Sequence, residues 1–184
     1  MVEPSLGDKV VALHAALDRA KVPHAFGGAL ALAYYGEPRA TIDVDINVFV
    51  APEQHEAVID ALAPLGVRSG PPARAVIRDG QGRWRWGNNP VDLFFSSTPF
   101  HDAMRARVRT VPFGDDHIPI LCAEHLVAAK VIFDRAKDWI DIEQVLLSTT
   151  GLDHVEIDRW LNEIIGADDH RATRLRNVQS RLLG

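Results

Sequence analysis

The feature that most constrains this chain is an alternating segment with two acids near its start. Between positions 41 and 50, apolar side chains alternate with Asp43, Asp45 and Asn47. Such alternation is typical of a β-strand with one buried face. Residues i and i+2 of a strand project to the same side, so the two carboxylates are expected next to each other. They repel one another unless a cation lies between them, which favours a Mg²⁺ or Mn²⁺ site; the alternative is a solvated strand edge.

A glycine pair precedes this segment. Gly27 and Gly28 follow a short apolar strand and lead into a helix-forming stretch that starts at Ala29. A strand, two glycines and a helix N-terminus allow phosphate to approach backbone N–H groups closely, although glycine pairs also occur at ordinary strand ends. The segment between Gly28 and Asp43 can hold one helix and a return loop. Both features are therefore expected at one end of the same sheet.

A third acid, Asp92, lies inside the otherwise apolar segment from Val91 to Phe95. Burying a lone carboxylate is costly, so an acid inside such a strand needs a partner. If this strand lies beside the first one, Asp92 becomes a third metal ligand. The alternative is an acid at a strand edge, just after the turn at Pro90.

Together these three motifs resemble the DNA polymerase β-like nucleotidyltransferase superfamily, over roughly residues 22–95. The resemblance implies an α+β fold, a small mixed β-sheet flanked by helices, with a C-terminal helical part. It implies NTP as substrate and Mg²⁺ (or Mn²⁺) held by the catalytic residues Asp43, Asp45 and Asp92. In this interpretation Asp92 accepts the proton of the acceptor hydroxyl, and Gly27 and Gly28 hold the phosphates.

A narrower resemblance rests on the segment 41–45, together with Lys130 and the charged run at 135–141. These motifs resemble the AbiEii/MenT nucleotidyltransferase toxins of bacterial toxin–antitoxin systems. The resemblance implies that Lys130, or else Lys137, offsets charge on the departing pyrophosphate. It also places Thr41, Lys137 and Asp138 in the nucleotide-binding region and makes Thr41 a candidate control point for phosphorylation. The alternative for Lys130, Asp138 and Asp141 is a salt-bridged helix that packs on the core.

The acceptor is the least constrained part of the function. The toxin resemblance implies transfer to tRNA 3′ ends and a cognate antitoxin as partner. The net charge of −5 is unevenly distributed, with a basic region at 68–109, an acidic region at 115–169 and a basic C-terminal helix. The basic regions suit RNA, whereas the acidic region suits a small hydroxyl-bearing acceptor, as in the aminoglycoside and lincosamide nucleotidyltransferases. A third possibility is a catalytically degenerate member that binds RNA or a partner protein.

The segment from Arg83 to Trp86 alternates arginine and tryptophan. It either stacks on a nucleotide base or forms an edge strand with half-buried tryptophans. The sequence further predicts short extended pieces at 67–69, 74–78 and 91–96. Helices are predicted at 5–20, 29–35, 52–62, 100–105, 123–135, 138–147, 153–165 and 171–183.

We expect a nucleotidyltransferase core at 1–122 and a C-terminal helical region at 123–184 packed on it. Cys122 is the single cysteine and lies in an apolar stretch, which indicates packing and a reducing compartment. The longest apolar stretch is too short to span a bilayer, so we expect a cytoplasmic protein with no membrane partner.

Overall fold

A computed structural model describes residues 3–184, which form two compact units. The first unit runs to Leu30 and resumes from Ala40 to Ile120; the second comprises residues 31–39 and 121–184. The expected division at residue 122 thus differs for residues 31–39. These residues belong with the C-terminal helices because Tyr35 Oη donates to Leu121 O at 2.8 Å and Arg39 pairs with Asp141.

The first unit contains a six-stranded sheet and its flanking helices. The strands are β1 (His24–Phe26), β2 (Val44–Val48), β3 (Gln81–Trp86), β4 (Asn89–Phe95), β5 (Arg109–Phe113) and β6 (Asp116–Ile120). The helices are α1 (Leu6–Arg19), the start of α2 (Gly28–Leu32), α3 (His55–Leu62), α4 (Ala73–Asp79) and α5 (Pro99–Ala106), with 3₁₀ turns at Pro52–Gln54 and Ala63–Leu65.

The sheet is mixed, with the strand order β3-β4-β2-β1-β6-β5. Strands β2 and β4 are parallel, as are β1 and β6, whereas the β1–β2, β3–β4 and β5–β6 pairs are antiparallel. The mixed sheet with flanking helices confirms the predicted fold class.

The central strand β2 is shorter than the predicted segment of 41–50. Val44, Ile46 and Val48 are fully buried, as the alternation indicates, but Ile42 is 65% exposed and precedes the strand. Asp43 therefore lies in the loop just before β2 rather than inside it.

The prediction of an extended piece at 74–78 was wrong, because these residues form α4. The helix begins after Pro72, whose fixed φ suits a helix start, and ends at Gly80 with φ +64°. Val76 is its single fully buried side chain. One buried position gives no hydrophobic periodicity, so the sequence pattern could not distinguish a short helix from a strand. The piece at 67–69 is also not a strand; it forms an isolated bridge from Arg68 to Arg85.

The second unit is helical. It contains α6 (Ala123–Phe133), α7 (Ala136–Ser148), α8 (His154–Ile164) and α9 (His170–Leu183). Helix α6 ends where Asp134 adopts φ +53°, and α7 begins after Arg135. The break separates Lys130 from Asp138 and Asp141, which lie on the next helix. No helix among residues 3–184 is long and apolar enough to cross a membrane.

Candidate active site

Four residues lie side by side across the sheet, on β3, β4 and β2 and just after the end of β1. Arg83 of β3 pairs in register with Asp92 of β4, and Asp92 pairs with Asp45 of β2. On the other side of Asp45, the N–H of Gly27 donates to the Asp45 carbonyl oxygen at 2.9 Å. The predicted adjacency of the two acid-bearing strands is therefore present, and the glycine pair lies next to Asp45.

Gly28 is required where it stands for two reasons. Its φ of +51° is a conformation that L side chains rarely adopt. A Cβ atom there would lie 2.6 Å from Cγ of Asp45 and closer still to its Oδ2. The missing side chain thus gives the Asp45 carboxylate its position beside the start of α2. Gly27 has a different role in the fold, since its N–H is already used by the Asp45 carbonyl.

Asp43 is held by its own loop. Its backbone N–H donates to Thr41 Oγ1 at 3.1 Å, which fixes the chain just before β2. One residue earlier, the carbonyl of Ile42 accepts from Asn89 Nδ2 at 2.8 Å, and Asn89 begins β4. The side chain of Asp43 is 30% exposed and that of Asp92 is 14% exposed. Both carboxylates are therefore part-buried but open to a ligand.

Arg83 is the residue of this cluster that sequence reasoning missed. Its Nε donates to Asp92 Oδ1 at 2.7 Å and its Nη2 to Asp92 Oδ2 at 2.6 Å. The same Nη2 lies 4.0 Å from Asp43 Oδ2. The hydrogen bonds to Asp92 raise the pKa of the Arg83 guanidinium above its usual value, so it stays charged.

A signal for Arg83 was present in the sequence. Gly87 and Asn88 form a two-residue hairpin connection that pairs Trp86 with Asn89. Counting outward from that turn brings position 83 opposite position 92. Strand β3 is the sheet edge, and Trp84 is 4% exposed, so the edge-strand interpretation of this segment was the correct structural one.

The acids fit a divalent cation by their chemistry but are not arranged as a finished metal site. Carboxylate oxygens are the ligands that Mg²⁺ and Mn²⁺ prefer, and Asp43, Asp45 and Asp92 lie on neighbouring segments. Within residues 3–184, no three carboxylate, imidazole or thiolate side chains converge closely enough to hold a metal. Both oxygens of Asp92 accept hydrogen bonds from Arg83. The guanidinium supplies a positive charge among these acids.

Lys130 lies in the second unit, at the centre of a buried ion cluster. Its Nζ is 2.6 Å from Asp141 Oδ2 and 3.4 Å from Asp138 Oδ1, and the side chain is 4% exposed. Arg135 also binds Asp138, with Nε 2.6 Å from Oδ2, while Arg39 binds Asp141 through two nitrogens. Burial would raise the pKa of Asp141, but the hydrogen bonds from Arg39 and Lys130 outweigh it and leave this pKa below its ordinary value.

Lys137 differs from Lys130 in its surroundings. It is exposed in the first turn of α7 and makes no ion pair within the described part of the chain. Asp138, the next residue, is fully buried. Of the two lysines predicted to bind the phosphates, Lys130 is therefore buried and ion-paired, whereas Lys137 is exposed and free to bind a ligand.

A cavity of about 690 Å³ lies in the first unit, away from the acids. It is lined by residues that follow the carboxyl ends of β2 and β4, among them Val50, Ser96 and Asp102. Asp43 and Asp45 are at the amino end of β2. This cavity is therefore not formed by the candidate catalytic residues.

Comparison with known families identifies the family of this chain. The family described as nucleotidyl transferase AbiEii toxin, of type IV toxin–antitoxin systems, matches residues 11–182. The chain belongs to the AbiEii nucleotidyltransferase family. This AbiEii-family protein is accordingly a nucleotidyltransferase, and the resemblance to the AbiEii toxins inferred from its motifs is confirmed.

Solved structures agree with the fold of this AbiEii-family protein. The antibiotic-resistance factor ANT(2″)-Ia superposes with a TM-score of 0.61 at 13% identity, covering 99% of this chain and 97% of the other. The lincosamide antibiotic adenylyltransferase LnuA gives 0.57 at 13%, covering 77% and 97%. A nucleotidyltransferase-like protein from Paracoccidioides brasiliensis gives 0.55 at 16%, covering 97% and 87%. At these identities the likeness shows the fold alone. None of the curated proteins matches the sequence.

Proposed function

We propose that this nucleotidyltransferase transfers an NMP from an NTP to an acceptor hydroxyl with Mg²⁺ or Mn²⁺ bound at Asp43, Asp45 and Asp92. The observation that carries the proposal is the register of the parallel ladder, which sets Asp45 directly beside Asp92. Asp43 joins them through Arg83, whose Nη2 lies between Asp92 and Asp43. Three carboxylates at one end of the sheet repel one another, and Arg83 sets only one positive charge against them, so a divalent cation for nucleotidyl transfer accounts for their presence.

The residues of the chain then have distinct tasks. A divalent cation bound here would neutralise triphosphate charge and lower the pKa of the acceptor hydroxyl. A carboxylate oxygen of Asp92 accepts the proton as the acceptor oxygen bonds to the α-phosphorus and the bond to pyrophosphate breaks. The absence of a side chain at Gly28 leaves room for the Asp45 carboxylate, and the phosphates would approach the backbone N–H groups of this turn. Gly27 contributes mainly by tying the glycine pair to Asp45, since its N–H is already engaged.

The proposal also includes a cation that offsets charge on the departing pyrophosphate. The family resemblance implies Lys130 for this role, with Lys137 as the second candidate and Asp138 in the same nucleotide-binding region. The contacts of Lys130 support a role in holding Asp138 and Asp141 in place. The exposure of Lys137 supports direct binding of phosphate.

We propose tRNA as the acceptor, because the family is described as a toxin and the edge of the sheet is basic. Arg85 is exposed on the edge strand β3, and exposed Arg68 is joined to it by a pair of backbone hydrogen bonds. The C-terminal helix supports an RNA acceptor less well than its sequence suggests. Its Arg171 pairs with Asp169 and its Arg181 with Glu143, so these charges are already balanced.

The toxin description also supports a cognate antitoxin as partner. Thr41 is proposed as a control point, because a phosphate on Oγ1 would remove the hydrogen bond that this hydroxyl donates to the Asp43 carbonyl oxygen and would add negative charge beside Asp43. We propose that the protein acts in the cytoplasm, in keeping with its single, buried cysteine.

The test is transfer of label from each α-³²P-NTP, with Mg²⁺, to total tRNA and separately to an aminoglycoside and lincosamide panel. Wild type is compared with Asp43→Ala. Labelled tRNA that is lost in the variant supports the proposal and identifies the base. Labelled drug instead would assign the protein to antibiotic modification, as its structural neighbours allow. No label in any reaction, together with no Mg²⁺-dependent NTP binding, would support a degenerate member that only binds.

A further inference from the structure

The contact between Arg83 and Asp92 engages both oxygens of a proposed metal ligand. Arg83 Nε and Nη2 each donate to a different oxygen of Asp92, at 2.7 and 2.6 Å. This two-point geometry is the strongest that a guanidinium and a carboxylate can form. A metal ion that approaches Asp92 from the side of the guanidinium must replace at least one of these hydrogen bonds, and from any other side it meets repulsion from the nearby positive charge.

The guanidinium of Arg83 also lies close to Asp43. Its Nη2 is 4.0 Å from Asp43 Oδ2, so one arginine lies between two of the three carboxylates. Asp45 is next to Asp92 in the ladder. Without a metal, Arg83 supplies a positive charge that offsets the repulsion between these carboxylates.

Arg83 can leave without disturbing the fold. It lies on the edge strand β3, and its side chain is 56% exposed, against 14% for Asp92. Its backbone pairing with β4 does not depend on the side chain. Rotation of the side chain into solvent costs the two hydrogen bonds and little packing.

We propose that Arg83 is an exchangeable internal cation that competes with the divalent metal for Asp92. In the metal-free protein the guanidinium holds Asp92 and Asp43 in position; when the metal binds, the guanidinium leaves. Arg83 is thus a positioning residue that lowers the affinity of the free protein for metal. This inference rests on the proposed metal site at Asp43, Asp45 and Asp92.

The test is Mn²⁺ binding to the nucleotide-free protein, measured by titration calorimetry and by the EPR signal of free Mn²⁺. Arg83→Met should bind Mn²⁺ about tenfold more tightly than wild type, since the ion no longer displaces a charged hydrogen-bonded pair. Arg83→Lys keeps the charge but loses the two-point contact, so an intermediate affinity is expected. If Arg83→Met does not fold, as judged by its thermal unfolding, Arg83→Lys carries the test.

Arg85→Met is the matched control, because Arg85 lies two residues along the same strand and forms no ion pair with a described carboxylate. It should leave Mn²⁺ affinity close to wild type. Equal affinities for wild type and Arg83→Met would overturn the inference, as would equal tightening by both methionine variants, which would reflect overall charge alone.

Asp45→Asn distinguishes this failure from failure of the proposed function. If Mn²⁺ binding is lost in Asp45→Asn but unaffected by Arg83→Met, the proposed metal site is supported and only the competition between Arg83 and the metal is overturned. If Mn²⁺ binding is the same with and without Asp45, even when ATP is present, the metal site itself is wrong and the exchange falls with it. A second readout is the Arg83 Nε–H resonance, which should shift when diamagnetic Mg²⁺ is added.

Discussion

Asp45 and Asp92 are direct neighbours in the parallel ladder between β2 and β4, although 46 positions separate them in the chain. Parallel neighbours on adjacent strands point to the same face of the sheet. Two carboxylates in that relationship repel each other, and this fold retains both together with Asp43. The arrangement is intelligible if the protein binds a cation there, which is the basis of the proposed function.

Replacing Gly28 with alanine should abolish most of the activity. The new Cβ would overlap the Asp45 carboxylate and displace it, so we expect transfer to fall by about 10²-fold or more. The left-handed φ of +51° adds a stability cost of about 1 kcal/mol. Transfer rate and thermal unfolding are the measurements.

Gly114→Ala provides the control for the Gly28 variant. Gly114 also has positive φ, +61°, but nothing lies within 4 Å of the Cβ position. It should show a similar stability cost with activity retained. Equal loss of activity in both variants would indicate that backbone strain, and not the position of Asp45, is responsible.

The two lysines should separate into different roles. Lys130→Met leaves Asp138 and Asp141 buried with fewer partners, so we expect a loss of about 3 kcal/mol in the free energy of unfolding. Lys137→Met should leave stability unchanged because Lys137 is exposed, while raising the KM for NTP if it binds phosphate. Denaturant unfolding and steady-state kinetics measure the two effects. A stable Lys130→Met protein with reduced kcat would instead assign the phosphate role to Lys130.

The stability of the second unit should depend on Asp141 in a defined pH range. Its pKa is below the ordinary value, so it stabilises the folded state above the unfolded pKa of about 3.9 and loses this effect as pH falls toward the folded pKa. Asp141→Asn should therefore lower Tm strongly at neutral pH and progressively less below about pH 4. Asp168→Asn, at an exposed position, should show no such convergence. A difference between wild type and Asp141→Asn that does not change with pH would contradict this account.

Lys9 should be required for the stability of the first unit. Its side chain is 1% exposed, and its Nζ donates to Glu3 Oε1, Trp86 O and Asn89 Oδ1 at 2.6–3.0 Å. Lys9→Met removes this donor from all three acceptors, of which Glu3 keeps its hydrogen bonds from Asn88, and we expect a loss of about 2–3 kcal/mol in the free energy of unfolding. The exposed Lys21→Met is the control for denaturant unfolding. If both variants unfold like wild type, the buried ammonium contributes nothing.

The acid-bearing strands could be predicted because their signals are local. Alternation around Asp45 and a lone acid at Asp92 each identify a strand, and their pairing follows from the recognised motif order. The partner of Asp92 could not be found in the same way. Arg83 reaches it only through the register of a hairpin, which depends on the turn at 87–88, and its alternation with tryptophan also suited base stacking.

The surroundings of Lys130 show a second reason for incomplete prediction. From the sequence, the alternative setting for Lys130, Asp138 and Asp141 was a salt-bridged helix. The chain instead breaks at Asp134, which adopts a left-handed conformation that its sequence does not demand. The ion cluster forms between two helices and gains Arg39, a residue far away in sequence, which no periodicity could reveal.

The central claim is tested most directly by Mg²⁺-dependent release of pyrophosphate from NTP in the presence of total tRNA. Wild type, Asp45→Asn and Asp92→Asn are compared, each with and without a chelator. We expect release by wild type that the chelator abolishes, and a reduction of about 10²–10³-fold in both variants. Release that continues at the wild-type rate in Asp45→Asn and Asp92→Asn would contradict the assignment of these two neighbouring acids to catalysis.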